Sequence, residues 1–336
     1  MEPTGARGVR GPIESKARIA PVVMIVPCDT KLKSIGGLMQ IAFGAWLLLV
    51  SGALGGPALR DGDRIVLVGD TLIERDARYG WTESGLLLAS PARNLVIRNL
   101  GWSGDTPAGL SRAYFDSPEV GFQRLVQQVQ ACQPTIVVVG YGMASALDGV
   151  PVEQFLSELR HFVESVKPAP REWVFLSPIQ AKLETNADDA NQLAGTLSAY
   201  ADGLKSFASE KKGTFVDLRS IATKPSTREP SGIHLSDAGY RELADHLVGY
   251  LAAPKSPLAP GEGIDRLRAK LYRKNSLYFE RYRPQNITYL LGFRAYEQGQ
   301  NAKEIEALDP VISQLEQEIE KMRMEMGVLG TQGAKN

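Results

Sequence analysis

Residues 64–75 read RIVLVGDTLIER, and their reading decides the fold. Ile65, Val66, Leu67 and Val68 form an apolar, largely β-branched run that stops at Gly69. That is the pattern of a strand buried on both faces of a parallel sheet. After the glycine come Asp70 and Thr71, then a segment able to start a helix. A strand that turns sharply into a helix sets its turn residues at the carboxyl edge of the sheet, where open α/β sheets bind ligands. The Thr71 hydroxyl is thereby presented to a substrate.

Outward from this stretch, strand patterns recur: LVIRN at 95–99, TIVVVG at 135–140, WVFLS at 173–177 and TFVDL at 214–218. Helical patterns lie between them. Val120, Leu125, Val129 and Ala131 mark one, and Phe155, Leu159, Phe162 and Val166 mark another behind Pro151. Proline is favoured at the first position of a helix. Residues 188–211 and 235–251 supply two more. Strand–helix alternation of this kind argues an α/β fold, a parallel sheet with helices on both faces.

Pro254, Pro257 and Pro260 mark residues 254–263 as a linker after a first domain at 60–253. Beyond it, 264–326 reads as a helical extension and 327–336 as a disordered tail. Ile312, Leu315, Ile319, Met322 and Met326 form an apolar stripe there, a core face or a face for a partner protein.

Lys plus Arg and Asp plus Glu both total 38, so the formal charge is zero and there is no electrostatic footprint for nucleic acid. The two cysteines, Cys28 and Cys132, lack metal-ligand spacing, so neither a metal nor another cofactor is expected. No Gly-rich loop ending in Gly-Lys-Ser/Thr is present. Residues 1–59 read as an export segment with a long N-terminal extension. The stretch 34–59 is uncharged, its densest part is IAFGAWLLLVSGAL at 41–54, and Lys31 and Lys33 precede it. Cleavage near Ala53 is expected, with an uncleaved membrane anchor as the alternative. Either way the protein is placed in the periplasm or at the cell surface.

Gly69-Asp70-Thr71 after the first strand resembles the first block of the SGNH (GDSL) hydrolases. NLGWSGDT at 99–106 resembles the second block, and GIHLSDAGY at 232–240 the last. The resemblance spans 64–251 and implies a three-layer α/β/α, flavodoxin-like sheet of about five parallel strands. It implies Thr71 as nucleophile, His234 as general base, and the N–H groups of Thr71 and Gly101 as oxyanion donors. His161 and His246, the remaining histidines, lie inside helical patterns and read as structural or surface residues.

The chain departs from the family in three places. Thr71 stands for serine, Ala144 for the oxyanion asparagine, and Ser231 for the aspartate three residues before the histidine. Ser145 and Glu229 are the neighbours able to compensate. The segment RPQNITYLLGFRAYEQGQNAKEI at 283–305 resembles the stretch that follows SGNH domains in some large exported bacterial proteins with c-type haem modules, though no haem motif occurs here. Its Asn286, Tyr289, Gln298 and Asn301 suit a sugar site or simple core and cap roles. The resemblance therefore implies an exported esterase or deacetylase for acylated carbohydrate or small-molecule esters. The alternative is a pseudoenzyme binding a glycan or partner protein in the same cleft.

Overall fold

The computed structural model of the protein describes residues 59–91, 93–182, 187–252, 261–290, 292–298 and 302–333. Residues 1–58, which hold the expected export segment and Cys28, most of the linker, Asn301 and residues 334–336 lie outside them. Strands β1 (Arg64–Gly69), β2 (Val96–Asn99), β3 (Ile136–Gly140), β4 (Glu172–Leu176) and β5 (Thr214–Val216) form one parallel sheet. Its order is β2-β1-β3-β4-β5. The chain steps from β1 to one side and then crosses to the other, so the order reverses at β1. Ligands bind outside the carboxyl ends of strands at such a point.

Side chains of a strand alternate between its faces, which divides the core in two. Ile65 and Leu67 face α1 (Thr71–Tyr79), α2 (Trp81–Ala89) and, further along the chain, α7 (Asp237–Ala252) and α8 (Glu262–Tyr282). Val66 and Val68 face α3 (Pro118–Ala131), α5 (Val152–Ser165) and α6 (Ala187–Glu210). A short helix, α4 (Met143–Leu147), follows β3. Phe155, Leu159 and Phe162 of α5 are fully buried, each contributing roughly 1.5–3 kcal/mol relative to exposure. Both faces of the sheet are covered, so residues 65–68 of β1 and 136–139 of β3 are unbroken apolar runs, while β2 ends in the buried polar pair Arg98 and Asn99.

The extension continues as α9 (Ile287–Leu290), α10 (Ala295–Gln298), α11 (Ala302–Glu306) and α12 (Leu308–Gly333). It is built into the body of the molecule. From α8, Lys274 reaches Glu83 of α2, which also accepts from Asn275 Nδ2 at 2.9 Å. The Tyr278 hydroxyl meets Cys132 Sγ at 3.1 Å. Ile312, Leu315 and Ile319 are buried, with Met322 and Met326 packed alongside. The apolar stripe therefore closes against this chain's own helices and is not available to a partner protein. Its last helix runs on to Gly333. Residues 327–333 are thus helical rather than disordered, because no proline interrupts the run after Pro310.

Candidate active site

Asp70 is the N-cap of α1: its Oδ1 accepts from Leu72 N at 3.1 Å. Its Oδ2 accepts from the N–H groups of Gly142, Met143 and Ala144 at 3.2, 3.0 and 3.4 Å. One carboxyl group thus ties the start of α1 to the start of α4. Burial pushes its pKa up to about 6, against the pull of these N–H donors. Thr71 follows as the first residue of α1, where a helix leaves its N–H groups without intrahelical partners. Thr71 Oγ1 accepts a hydrogen bond from Gly104 N at 3.3 Å.

A cleft of ≈ 100 Å³ opens beside Thr71. The loop after each strand but β5 brings a residue directly: Thr71 after β1, Gly104 after β2, Ala144 after β3 and Ile179 after β4. The longer segment between β5 and α7 brings His234. The remaining walls are mainly apolar, with Leu72, Met143, Leu147 and Ile233 among them. The hydroxyl and the imidazole that the sequence singled out therefore line one cleft at the carboxyl edge of the sheet. Among the described residues, no group of three or more His, Cys, Asp or Glu is placed to hold a metal ion.

Gly101 does not take the expected place. Its N–H donates to Asn99 Oδ1 at 2.9 Å and its carbonyl accepts from the Tyr282 hydroxyl at 2.8 Å. Its need for glycine is steric: a Cβ there would stand 2.2 Å from Glu74 N, on the backbone of α1. The residue that faces the cleft is Gly104, at φ +70°, where a Cβ would meet only Ser111 Oγ at 3.6 Å. A signal for it stands in the sequence, since Gly104-Asp105-Thr106 repeats the Gly69-Asp70-Thr71 triplet.

The compensating residues also fall elsewhere. Ser145 is fully buried, its Oγ has no partner, and the cleft takes Ala144 and Leu147 from the same helix instead. A helix turns about 100° per residue, which carries the hydroxyl away. Ser231 is exposed. Glu229 is joined to His234 through the backbone, its N–H donating to the His234 carbonyl at 3.0 Å. The Glu229 carboxylate, however, pairs with Arg75 and accepts from the Tyr79 hydroxyl at 3.3 Å. Burial and then the Arg75 charge hold the His234 pKa below its ordinary value of 6.5, with Glu229 opposing. The ring is therefore a neutral acceptor at pH 7. His161 stacks on Phe122 with ring centres 4.3 Å apart, and His246 Nε2 lies 3.0 Å from the Asp217 carbonyl. Both are structural.

A hydroxyl at the first turn of α1, the Gly104 N–H that it accepts from and a histidine from the loop before α7 line one cleft, where a hydrolase of the SGNH type would carry its site. The chain belongs to the GDSL-like Lipase/Acylhydrolase family, whose model matches residues 63–242. Among solved structures it is similar to Axe2, an acetylxylan esterase from Geobacillus stearothermophilus, at 19% identity over 58% of this chain and 98% of that one, TM-score 0.46. It is also similar to the lipase/acylhydrolase from Enterococcus faecalis, at 19% identity over 59% and 100%, TM-score 0.45. A third is LAE5, an alpha/beta hydrolase enzyme from the metagenome of Lake Arreo, Spain, at 17% identity over 57% and 96%, TM-score 0.45. No curated protein matches the sequence.

Proposed function

We propose that the protein is an exported esterase that removes short acyl groups from carbohydrate or small-molecule esters. The observation that carries this reading is the placing of Thr71, Gly104 and His234 on one cleft. Thr71 Oγ1 attacks the ester carbonyl carbon and its proton passes to the neutral His234 ring. The N–H groups of Thr71 and Gly104 hold the resulting oxyanion. Collapse breaks the bond to the alcohol, which leaves with the proton from His234. Water, activated by the same ring, then releases the acyl group from Thr71. A narrow, apolar cleft suits a short acyl chain better than a long one. Hydrolysis of p-nitrophenyl acetate that disappears in both Thr71→Ala and His234→Ala is the expected result. A rate unchanged by either substitution refutes the reading.

The uncharged apolar stretch at 41–54 supports export, and the native protein should begin near Leu54 by N-terminal sequencing. A cytoplasmic protein beginning at Met1 would exclude it. One observation favours a second reading, a pseudoenzyme that binds a glycan or partner protein in the cleft. Of the carboxylates near His234 in sequence, Glu229 is engaged by Arg75 and Asp237 by Arg268 and the Trp81 indole N–H, and Ala144 stands where the family has an amide. Fluorophosphonate labelling separates the two. The esterase is labelled in a Thr71-dependent manner, and the pseudoenzyme is not labelled beside an active relative.

A further inference from the structure

The loop that carries Gly104 is braced from outside the family domain. Behind the loop, Asp105 and Arg112 form a fully buried ion pair at 2.8 Å, and Arg112 Nη2 donates to the Leu100 carbonyl at 2.8 Å. In front, Glu74 of α1 accepts the Ser103 N–H at 2.5 Å. The same Glu74 Oε2 takes a hydrogen bond from Arg283 at 3.0 Å. The Arg283 guanidinium also lies over the buried Trp102 ring, 4.2 Å from its centre. One residue earlier, the Tyr282 hydroxyl donates to the Gly101 carbonyl at 2.8 Å, and the Tyr282 carbonyl accepts from Gln128 Nε2 at 3.0 Å.

We propose that Tyr282 and Arg283, at the end of α8, are positioning residues for the Gly104 oxyanion donor, so that the C-terminal extension is part of the catalytic machinery. The inference rests on the esterase reading above for its catalytic consequence, and on contacts alone for its structural one. Residues 101–103 carry no regular hydrogen-bond ladder, and Gly104 itself is exposed with a backbone of wide conformational freedom. An oxyanion donor works only if its N–H is already aimed where charge develops, and a displacement of about an ångström forfeits most of that effect. Glu74 is the joint. Its carboxylate is almost buried, and Arg283 supplies the close cation that balances it; Arg78, at 3.8 Å, is mostly exposed. Without Arg283, Glu74 is drawn toward solvent and the Ser103 anchor goes with it.

The test uses the full chain with Arg283→Ala, Tyr282→Phe and Arg283→Lys. Lys270→Ala, which removes only the α8–α12 ion pair with Glu318, serves as a control. Hydrogen exchange read on peptides covering 100–106 should quicken about tenfold in Arg283→Ala and less in Tyr282→Phe, as expected for an opened local anchor. The His234-dependent kcat for p-nitrophenyl acetate should fall about tenfold or more in Arg283→Ala, with KM within about twofold. Arg283→Lys, which keeps the charge beside Glu74, should recover part of both. Lys270→Ala should change neither. Unchanged exchange at 100–106 in Arg283→Ala overturns the proposal, as does faster exchange with an unchanged kcat. If Arg283→Ala does not fold, the same comparisons are read from Tyr282→Phe. If the wild type shows no His234-dependent turnover, the esterase reading fails and exchange alone decides the brace.

Discussion

Asp76 offers a prediction whose sign changes with pH. It lies on α1, one turn beyond Leu72, and is buried, accepting from the Thr82 hydroxyl at 2.9 Å and from the Thr82 N–H. Burial pushes its pKa from 3.8 up to about 7, the nearby Glu83 adds to this, and the Thr82 hydrogen bonds oppose it. The native state therefore holds this proton more tightly than the unfolded chain does. Stability from the bound proton is present at low pH and is lost as pH rises through 7. At about 1.4 kcal/mol per pKa unit, the wild type should lose about 3 kcal/mol from this group between pH 5 and pH 8. Asp76→Asn keeps the oxygen that accepts from Thr82 and cannot ionise. Its amide adds donors without a partner, which costs about 1–3 kcal/mol at any pH. At pH 5 the variant should be the less stable protein, and the gap should close or reverse by pH 8. Urea unfolding at the two pH values reads this directly, and comparing variant with wild type cancels the other titrating groups. A difference in stability that is the same at both pH values would refute the reasoning.

The remaining predictions concern the site. The kcat/KM profile should rise with pH through an ionisation below 6.5, since the base must be neutral, and Arg75→Gln should move that inflection upward by removing a cation beside His234. NMR titration of the ring checks the same shift without turnover. Gly101→Ala should destabilise the protein by about 1–3 kcal/mol or more, because its Cβ meets the α1 backbone, and thermal unfolding measures it. The triple variant Thr71→Ser, Ala144→Asn, Ser231→Asp should raise the His234-dependent rate at least about tenfold, a fraction of what an oxyanion donor and a histidine orienter supply in intact hydrolases. A folded triple variant that stays at the His234→Ala background supports the pseudoenzyme.

The sheet was legible because burial on both faces leaves an unbroken apolar run, and β1 to β5 fall within a residue or two of the sequence reading. β5 stops at Val216 because Asp217 turns away to pair with Arg219. Less visible was the division of the segment after Thr71 into α1 and α2. Gly80, in the left-handed conformation, ends one helix and starts the next, and only its φ of 66° shows that. That Thr71 and His234 belong to one cleft was legible because each stands in a motif. Gly101 and Gly104 were confused because both are glycines in one short loop. Close packing calls for one and presentation of an N–H for the other, and a sequence does not distinguish these needs. Arg75 was missed because its partner Glu229 lies far along the chain.

The losses and the retained groups fall on different sides of the cleft. Thr71 and Gly104, the proposed nucleophile and oxyanion donor, lie on the β1 and β2 side, and that side is held by Asp70, Glu74 and the end of α8. The departures lie toward β3 and the loop before α7, where Ala144 offers no side-chain donor and the Glu229 carboxylate near His234 is paired with Arg75, whose charge outweighs it at the ring. A histidine kept neutral accepts a proton, but with a cation nearby the imidazolium that must form is penalised. In the proposed reaction the difficult half is therefore proton transfer, and charge stabilisation is the better equipped half. Such a site favours esters whose alcohol departs without needing a proton, since these ask least of His234 as an acid. An aryl ester meets that condition and an alkyl ester does not, so p-nitrophenyl acetate reports on the braced half even where His234 is a poor acid.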